Sequence, residues 1–341
     1  MTAGVSRKSH GLRRPLLLLL LLGLFALVSF VVSVGSGSVS IALPDVWPLM
    51  FSEDLSPQAR IIQEIRVPRS LAAFVTGAML AISGVMMQVL LRNPLADPYI
   101  LGISGGAAVG ALGVIVLGMS GVWINQAAFA GALLSVLIVF GLAGRQRSWS
   151  VTRLLLTGVV IAAGWGALIN IMLSTSTDQN VQSMLFWLMG DLSQSRSAFW
   201  HYALLLIVLF YSLSQARPLN AMARGELQAA ALGVNVRKLR LSLYFCAALL
   251  TATAVTIAGT VGFVGLVIPH MLRLLGARDH RLLLPCSALL GGSFLLLADS
   301  LARTIIAPQQ LPVGVLTAML GVPAFLLILH RSQLSQSGPE R

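Results

Sequence analysis

Charge is scarce in this chain. Only 10% of its 341 residues are Asp, Glu, Lys or Arg, against about 25% in an ordinary soluble domain. With 57% hydrophobic residues, it carries more apolar surface than one soluble core of this length can hide. Cysteine is scarcer still. Cys246 and Cys286 lie in or beside apolar segments without metal-ligand spacing, so they read as packed thiols rather than as a disulfide or a metal site. No Gly-x-x-x-x-Gly-Lys-Ser/Thr loop is present, so the chain is not expected to hydrolyse ATP itself. HExxH, paired CxxC and nucleophile-elbow motifs are missing too. Ionisable side chains are nearly missing from the apolar segments, which argues against a carrier that moves protons or sodium along charged relays.

What is abundant is apolar sequence in long runs, with a mean hydropathy of +0.87. Lipid demands that each backbone polar group be satisfied internally, and no strand-like alternation occurs, so the runs are read as helices. Ten segments stand out, at roughly 15–34, 70–90, 99–118, 124–143, 153–174, 199–215, 239–258, 262–275, 282–305 and 311–329. The eighth is short for a span, which leaves nine or eleven elements as alternatives. The expectation is an all-α polytopic membrane protein with about ten transmembrane helices. Residues 1–14 form a cytoplasmic segment, 15–331 the membrane domain and 332–341 a cytoplasmic tail. The N-terminal run resembles a signal peptide, but its apolar core is longer than the usual one. It is read as an uncleaved first helix, with cleavage near Gly35–Ser38 as the alternative.

The net charge of +12 suggests nucleic acid at first sight. The basic residues, however, cluster on no helix face and are not interleaved with aromatics. They punctuate the apolar runs instead. With the N-terminus placed in the cytoplasm, 18 of the 23 Lys and Arg residues fall on the cytoplasmic side, as the positive-inside rule requires. Arg60, Arg66, Arg69, Arg196 and Arg303 fall outside. Both termini are then cytoplasmic.

Several short patterns stand out against this background. Gly102, Gly106 and Gly110 repeat every fourth residue, as do Ala73, Gly77 and Ala81; such stripes let helix backbones approach closely. Asp97-Pro98 reads as a helix start, with Asp as cap and Pro in the first turn. Pro269 is expected to break or bend the eighth segment, and His270 after it reads as a structural residue. Asp299 and Arg303, four apart, can pair on one helix face. Arg66 and Arg69 share a face at the start of the second span, where exposed guanidiniums could fork onto a partner's carboxylates. The segment Arg224–Gly233 has helical propensity within a polar cytoplasmic loop, which suits either docking to a soluble partner or a plain connector.

Six strings, in order, carry a resemblance: Arg66-Val-Pro-Arg69-Ser-Leu, Gln88-Val-Leu-Leu-Arg-Asn93-Pro-Leu-Ala-Asp97-Pro, Leu101-Gly-Ile-Ser-Gly-Gly-Ala107, Gly262-Phe-Val-Gly-Leu-Val-Ile-Pro-His270, Asp279-His-Arg281 and Leu311-Pro-Val-Gly314. Across residues 60 to 330 or so the chain resembles the FecCD-type permeases of binding-protein-dependent ABC importers, which carry iron–siderophores, haem and cobalamin. The resemblance implies a ten-helix, ABC importer permease fold in the bacterial inner membrane. It also implies three kinds of partner: a second permease subunit (a homodimer in most members), two cytoplasmic ATP-binding subunits and a periplasmic substrate-binding protein. No cofactor is expected on this chain; ATP and Mg belong to the partner ATPase. The family's coupling helices correspond to residues 219–233, with Arg224, Glu226, Ala229, Ala230 and Gly233 at or beside the motif positions. Its external arginines correspond to Arg66, Arg69 and Arg303, and its cytoplasmic gate to Ser150, Val151 and Thr152, where Val151 departs from the more polar run of relatives.

The cargo expected from the resemblance is an iron chelate, ferric siderophore or haem, with cobalamin as the alternative. Met79, Met86, Met87, Met172 and Met184 could line a passage, since Met adapts its shape, although ordinary packing explains them as well. Two rivals come from other classes: an ion-coupled secondary carrier, and an assembly or anchoring subunit with no pathway.

Overall fold

The computed structural model describes residues 13–37, 39, 41–52, 56–119, 121–144, 151–193 and 195–336. Among them there are helices and no strands. In chain order the helices are α1 (Arg13–Gly35), α2 (Leu43–Phe51), α3 (Pro57–Arg60), α4 (Val67–Leu90), α5 (Ile103–Val116), α6 (Val122–Gly144), α7 (Val151–Thr175), α8 (Asp178–Met189), α9 (Phe199–Ser214), α10 (Ala216–Arg224), α11 (Glu226–Ala231), α12 (Val236–Ala258), α13 (Val264–Leu274), α14 (His280–Thr304) and α15 (Val313–Gln336). A π-helical stretch, Ile61–Arg66, joins α3 to α4 in one 34-residue rod.

Each of the ten apolar segments expected from the sequence is helical. Among the described residues, six rods are long and apolar enough to cross a membrane: Arg14–Gly35, Pro57–Leu90, Val122–Ala143, Val151–Thr175, Val236–Ala258 and His280–Thr304. Helices α9 and α10, bent by 63° at their junction, make a seventh if taken together. The remaining apolar helices, α5, α13 and the 313–327 part of α15, are shorter.

The rod containing α4 is the mast of the fold. Its apolar window is 89% buried, whereas that of α7 is only 11% buried and presents Leu156, Val159, Val160 and Ile171 outward. Small residues let the neighbours close on α4. A Cβ on Gly77 would lie 2.2 Å from the Gly291 carbonyl oxygen of α14, and one on Gly84 would lie 1.9 Å from the Gly265 oxygen of α13. Without a hydrophobic driving force between helices in lipid, such close packing is what holds them together.

Two sequence expectations change here. Gly102 is not part of the α5 stripe. It precedes the helix with φ +69°, a left-handed conformation that ends a short 3₁₀ turn, Pro98–Leu101, and that Gly adopts without strain. Gly106 and Gly110 do pack, against the Gly131 and Ala127 carbonyls of α6. Pro269 does not break α13, which runs through it. The carbonyl it deprives of a partner, four residues back at Gly265, accepts instead from Gln88 Nε2 at 3.3 Å, and re-satisfaction of this kind is how lipid-embedded helices tolerate proline. Of the methionines, Met79, Met86, Met87 and Met184 are fully buried among core side chains, where they pack rather than line a passage.

Candidate functional site

Two polar clusters lie near opposite ends of α14. At its N-terminal end stand α10 and α11. Between these helices Gly225 takes φ +151° and ψ 144°, a backbone region left almost entirely to glycine, so the chain turns sharply. Helix α11 closes in a Schellman arrangement: the Val234 N–H bonds the Ala229 carbonyl at 3.0 Å, the Gly233 N–H bonds Ala230 at 2.9 Å, and Gly233 has φ +80°. Glu226 pairs with Arg240 of α12. Ala229 is buried, and Ala230, Gly233 and Arg224 are exposed. Leu219 and Met222 point into the core at 0% exposure, while Leu227 and Leu232 stand 87% and 74% exposed. A hollow of about 320 Å³ opens beside them, lined by Arg217, Asn220, Arg224, Leu232, Asp279 and Arg281 among others. An apolar knob beside three guanidiniums is the chemistry of a protein-docking surface with an acidic counterpart.

Asn220, which the sequence did not single out, ties α10 to the start of α14. Its Nδ2 donates to Asp279 Oδ1 at 3.0 Å, and its Oδ1 accepts from the His280 backbone N–H at 3.0 Å and faces His280 Nδ1 at 2.6 Å. Burial pushes the Asp279 carboxyl up, but hydrogen bonds from Asn220 and the Arg281 N–H, with the Arg281 and His280 charges, outweigh it and hold the group below its ordinary value.

Near the other end of α14 are the arginines. Asp299 has 0% exposure. It receives Arg69 Nη2 at 2.8 Å and Nε at 3.0 and 3.1 Å, and it pairs with Arg303 Nε at 3.1 Å. Arg69 Nη1 also reaches Gln310 Oε1 at 2.7 Å. Arg66 and Arg303 turn to the C-terminal end of α1. Arg66 donates to the carbonyls of Val34 at 3.0 Å, Gly35 at 2.9 Å and Val39. Arg303 donates to Ser33 O at 3.2 Å, Ser33 Oγ at 3.0 Å and Ser36 O at 3.4 Å. The last carbonyls of a helix have no intrahelical partner and carry its negative dipole end, so they help one carboxylate balance three guanidiniums. The three arginines are therefore not the exposed forks expected from the sequence: their exposures are 3%, 5% and 8%, because their donors are taken up within the chain. The i, i+4 pairing of Asp299 with Arg303 is as expected; the larger claim on Asp299, that of Arg69, was hidden by distance along the chain.

The gate segment is only partly visible. Ser150 lies outside the described residues, and Val151 and Thr152 open α7, half-buried and exposed respectively. Among the described residues no group of His, Cys, Asp or Glu is arranged to hold a metal. His270 has neither ring nitrogen hydrogen-bonded.

The model of the FecCD transport family matches residues 24–331. The hemin transport system permease HmuU of Yersinia pestis is 39% identical over 94% of this chain and 98% of its own. The vitamin B12 import system permease BtuC of Escherichia coli is 40% identical over 92% and 95%. Among solved structures, an inward-facing metal-chelate type ABC transporter superposes with a TM-score of 0.81 at 32% identity, covering 92% of this chain and 98% of that one. Helices long and apolar enough to cross a membrane and a family match over nine-tenths of the sequence agree: the chain belongs to the FecCD transport family and is a multi-span permease of the ABC importer type.

Proposed function

We propose that the chain is the permease subunit that carries a metal chelate across the bacterial inner membrane, with an iron chelate, ferric siderophore or haem, as its cargo. Both termini and the α10–α11 surface face the cytoplasm. Two ATP-hydrolysing subunits dock there on Leu227, Leu232 and the arginine-lined hollow, and their ATP and Mg do the chemical work. A periplasmic binding protein delivers cargo to the end organised by Arg66, Arg69 and Arg303. A second permease subunit, most simply another copy of this chain, completes the passage, and the α7 start, Ser150 to Thr152, forms its cytoplasmic constriction.

The observation that carries this reading is the exposed Leu227–Leu232 surface on a chain with no nucleotide-binding loop of its own. The ion-coupled carrier finds no support at Asp299, the acid of the α14 span, because two arginines already claim that carboxylate. The hemin and vitamin B12 permeases resemble the chain about equally, which keeps cobalamin as the second cargo.

Proteoliposomes containing the chain, its cognate ATPase and its binding protein test the proposal with labelled haem, ferric siderophore and cobalamin in parallel. ATP-dependent uptake of an iron chelate is the expected result. Uptake of cobalamin alone would replace the cargo, and uptake without ATP or binding protein would overturn the importer reading.

A further inference from the structure

Asn220 lies 60 positions before His280, yet its amide is spent on the first turn of α14. The His280 N–H is one of the helix-start donors that have no intrahelical acceptor. Asp279 caps the next, accepting from the Arg281 N–H at 2.8 Å. Asn220 supplies what an ionised acid, which only accepts, could not. Its amide oxygen takes the His280 N–H while its amide N–H answers the Asp279 carboxylate.

The helix so gripped is stiffly packed. A Cβ on Gly291 would lie 2.4 Å from Ala81 Cβ, and one on Gly292 would lie 2.6 Å from the Phe74 ring. Asp299 follows His280 by about 28 Å along the axis at 1.5 Å per residue. Helix α14 is continuous between the two residues: Pro285 costs it one backbone bond without ending it. Helices α10 and α11 are thus bonded to one end of a rod whose far end bears the carboxylate shared by Arg69 and Arg303.

We propose that Asn220 is a positioning residue for transport: it joins the ATPase-docking helices to α14, so that displacement of α10–α11 reaches the Asp299 cluster through a rigid helix rather than through a loosely packed loop. The proposal rests on the importer reading above. Rigid elements biased from one end are how small local shifts become changes in packing elsewhere.

The test uses the full chain reconstituted with its ATPase and binding protein and reads cargo imported per ATP hydrolysed. Asn220→Asp sets a carboxylate against Asp279 and breaks the joint. The exchange of both residues, Asn220→Asp with Asp279→Asn, rebuilds each bond with the two groups on opposite sides. The carboxylate, now on α10, would accept from His280, and the amide, now at the start of α14, would donate to that carboxylate while accepting from the Arg281 N–H. The expected result, read on assembled complexes that hold the ATPase, is a loss of about tenfold or more in cargo per ATP for the single variant and recovery in the exchange variant. Wild-type cargo per ATP in Asn220→Asp would overturn the proposal, as would an exchange variant no better than the single one. Release of the ATPase by Asn220→Asp would assign the contact to docking instead, which also overturns it. Uptake by the wild-type chain without ATP or binding protein would sink the importer reading itself and this inference with it.

Discussion

Arg69 and Asp299 stand 230 positions apart and share three hydrogen bonds of 2.8–3.1 Å, with both side chains almost completely buried. A buried pair of this kind is worth little against an apolar replacement, but breaking one partner away is costly. Asp299→Leu should therefore destabilise the chain by about 3–5 kcal/mol, because it strands Arg69 and removes a partner of Arg303. Arg69→Met together with Asp299→Leu should recover part of that loss, since Arg303 keeps its α1 acceptors. Thermal unfolding in detergent micelles compares the three proteins; a double variant no better than the single would contradict the pairing.

The contact of α4 with α13 depends on a missing side chain. Gly84→Ala would drive a methyl into the Gly265 carbonyl oxygen, 1.9 Å away, and no rotamer relieves a clash with backbone. We predict a loss of about 3 kcal/mol or more. Gly164→Ala on α7, with nothing within 4 Å of the new atom, should be neutral or raise stability by up to about 1 kcal/mol through helix propensity. Melting temperatures of the two variants should move apart.

Asp97 offers a test by pH. It caps the 3₁₀ turn before α5, accepting from the Tyr99 N–H at 2.8 Å, and burial outweighs that bond and pushes its carboxyl up to about 6. A raised carboxyl favours the fold while it is protonated. Its contribution is full below the ordinary value of about 4 and is lost as pH rises through about 6. Asp97→Asn still caps but does not titrate, so the fall in melting temperature across this window should shrink in the variant. An unchanged slope would remove Asp97 as its cause.

The proposed docking surface predicts a separation of stability from assembly. Leu227→Asp and Leu232→Asp change side chains that touch little of their own chain, at 87% and 74% exposure, so unfolding should shift by no more than about 0.5 kcal/mol. Co-purification with the ATPase should drop sharply, since each change puts a polar group where an apolar contact forms and repels an acidic counterpart. Undiminished co-purification would move the ATPase elsewhere.

The sequence made the helices legible because a lipid-spanning helix announces itself by length and hydropathy, and each expected segment is helical. It hid α8, whose Met184–Trp187 run is preceded by Asp178, Gln179, Asn180 and Gln182 and so reads as a loop. Chain position told which arginines share an end of the bundle, yet not what they touch: the acceptors of Arg66 and Arg303 include α1 backbone carbonyls, which no residue type advertises. Asn220 was illegible for the same reason, as its partners lie 60 residues on. The periodic stripe claimed Gly102 because spacing alone does not distinguish a helical glycine from one in a left-handed turn.

The order in which the ribosome delivers the chain gives the Arg69–Asp299 contact a history. Arg69 enters the membrane with α4, and its carboxylate follows only after 230 more residues. At about 5–20 residues per second, the guanidinium waits roughly ten to fifty seconds with α1 beside it and α14 still unmade. The mast of the fold is thus laid down early and incomplete, with Gly77 and Gly84 facing neighbours that do not yet exist, and the arrival of α14 late in synthesis supplies the backbone that fills the first gap and the charge that settles Arg69.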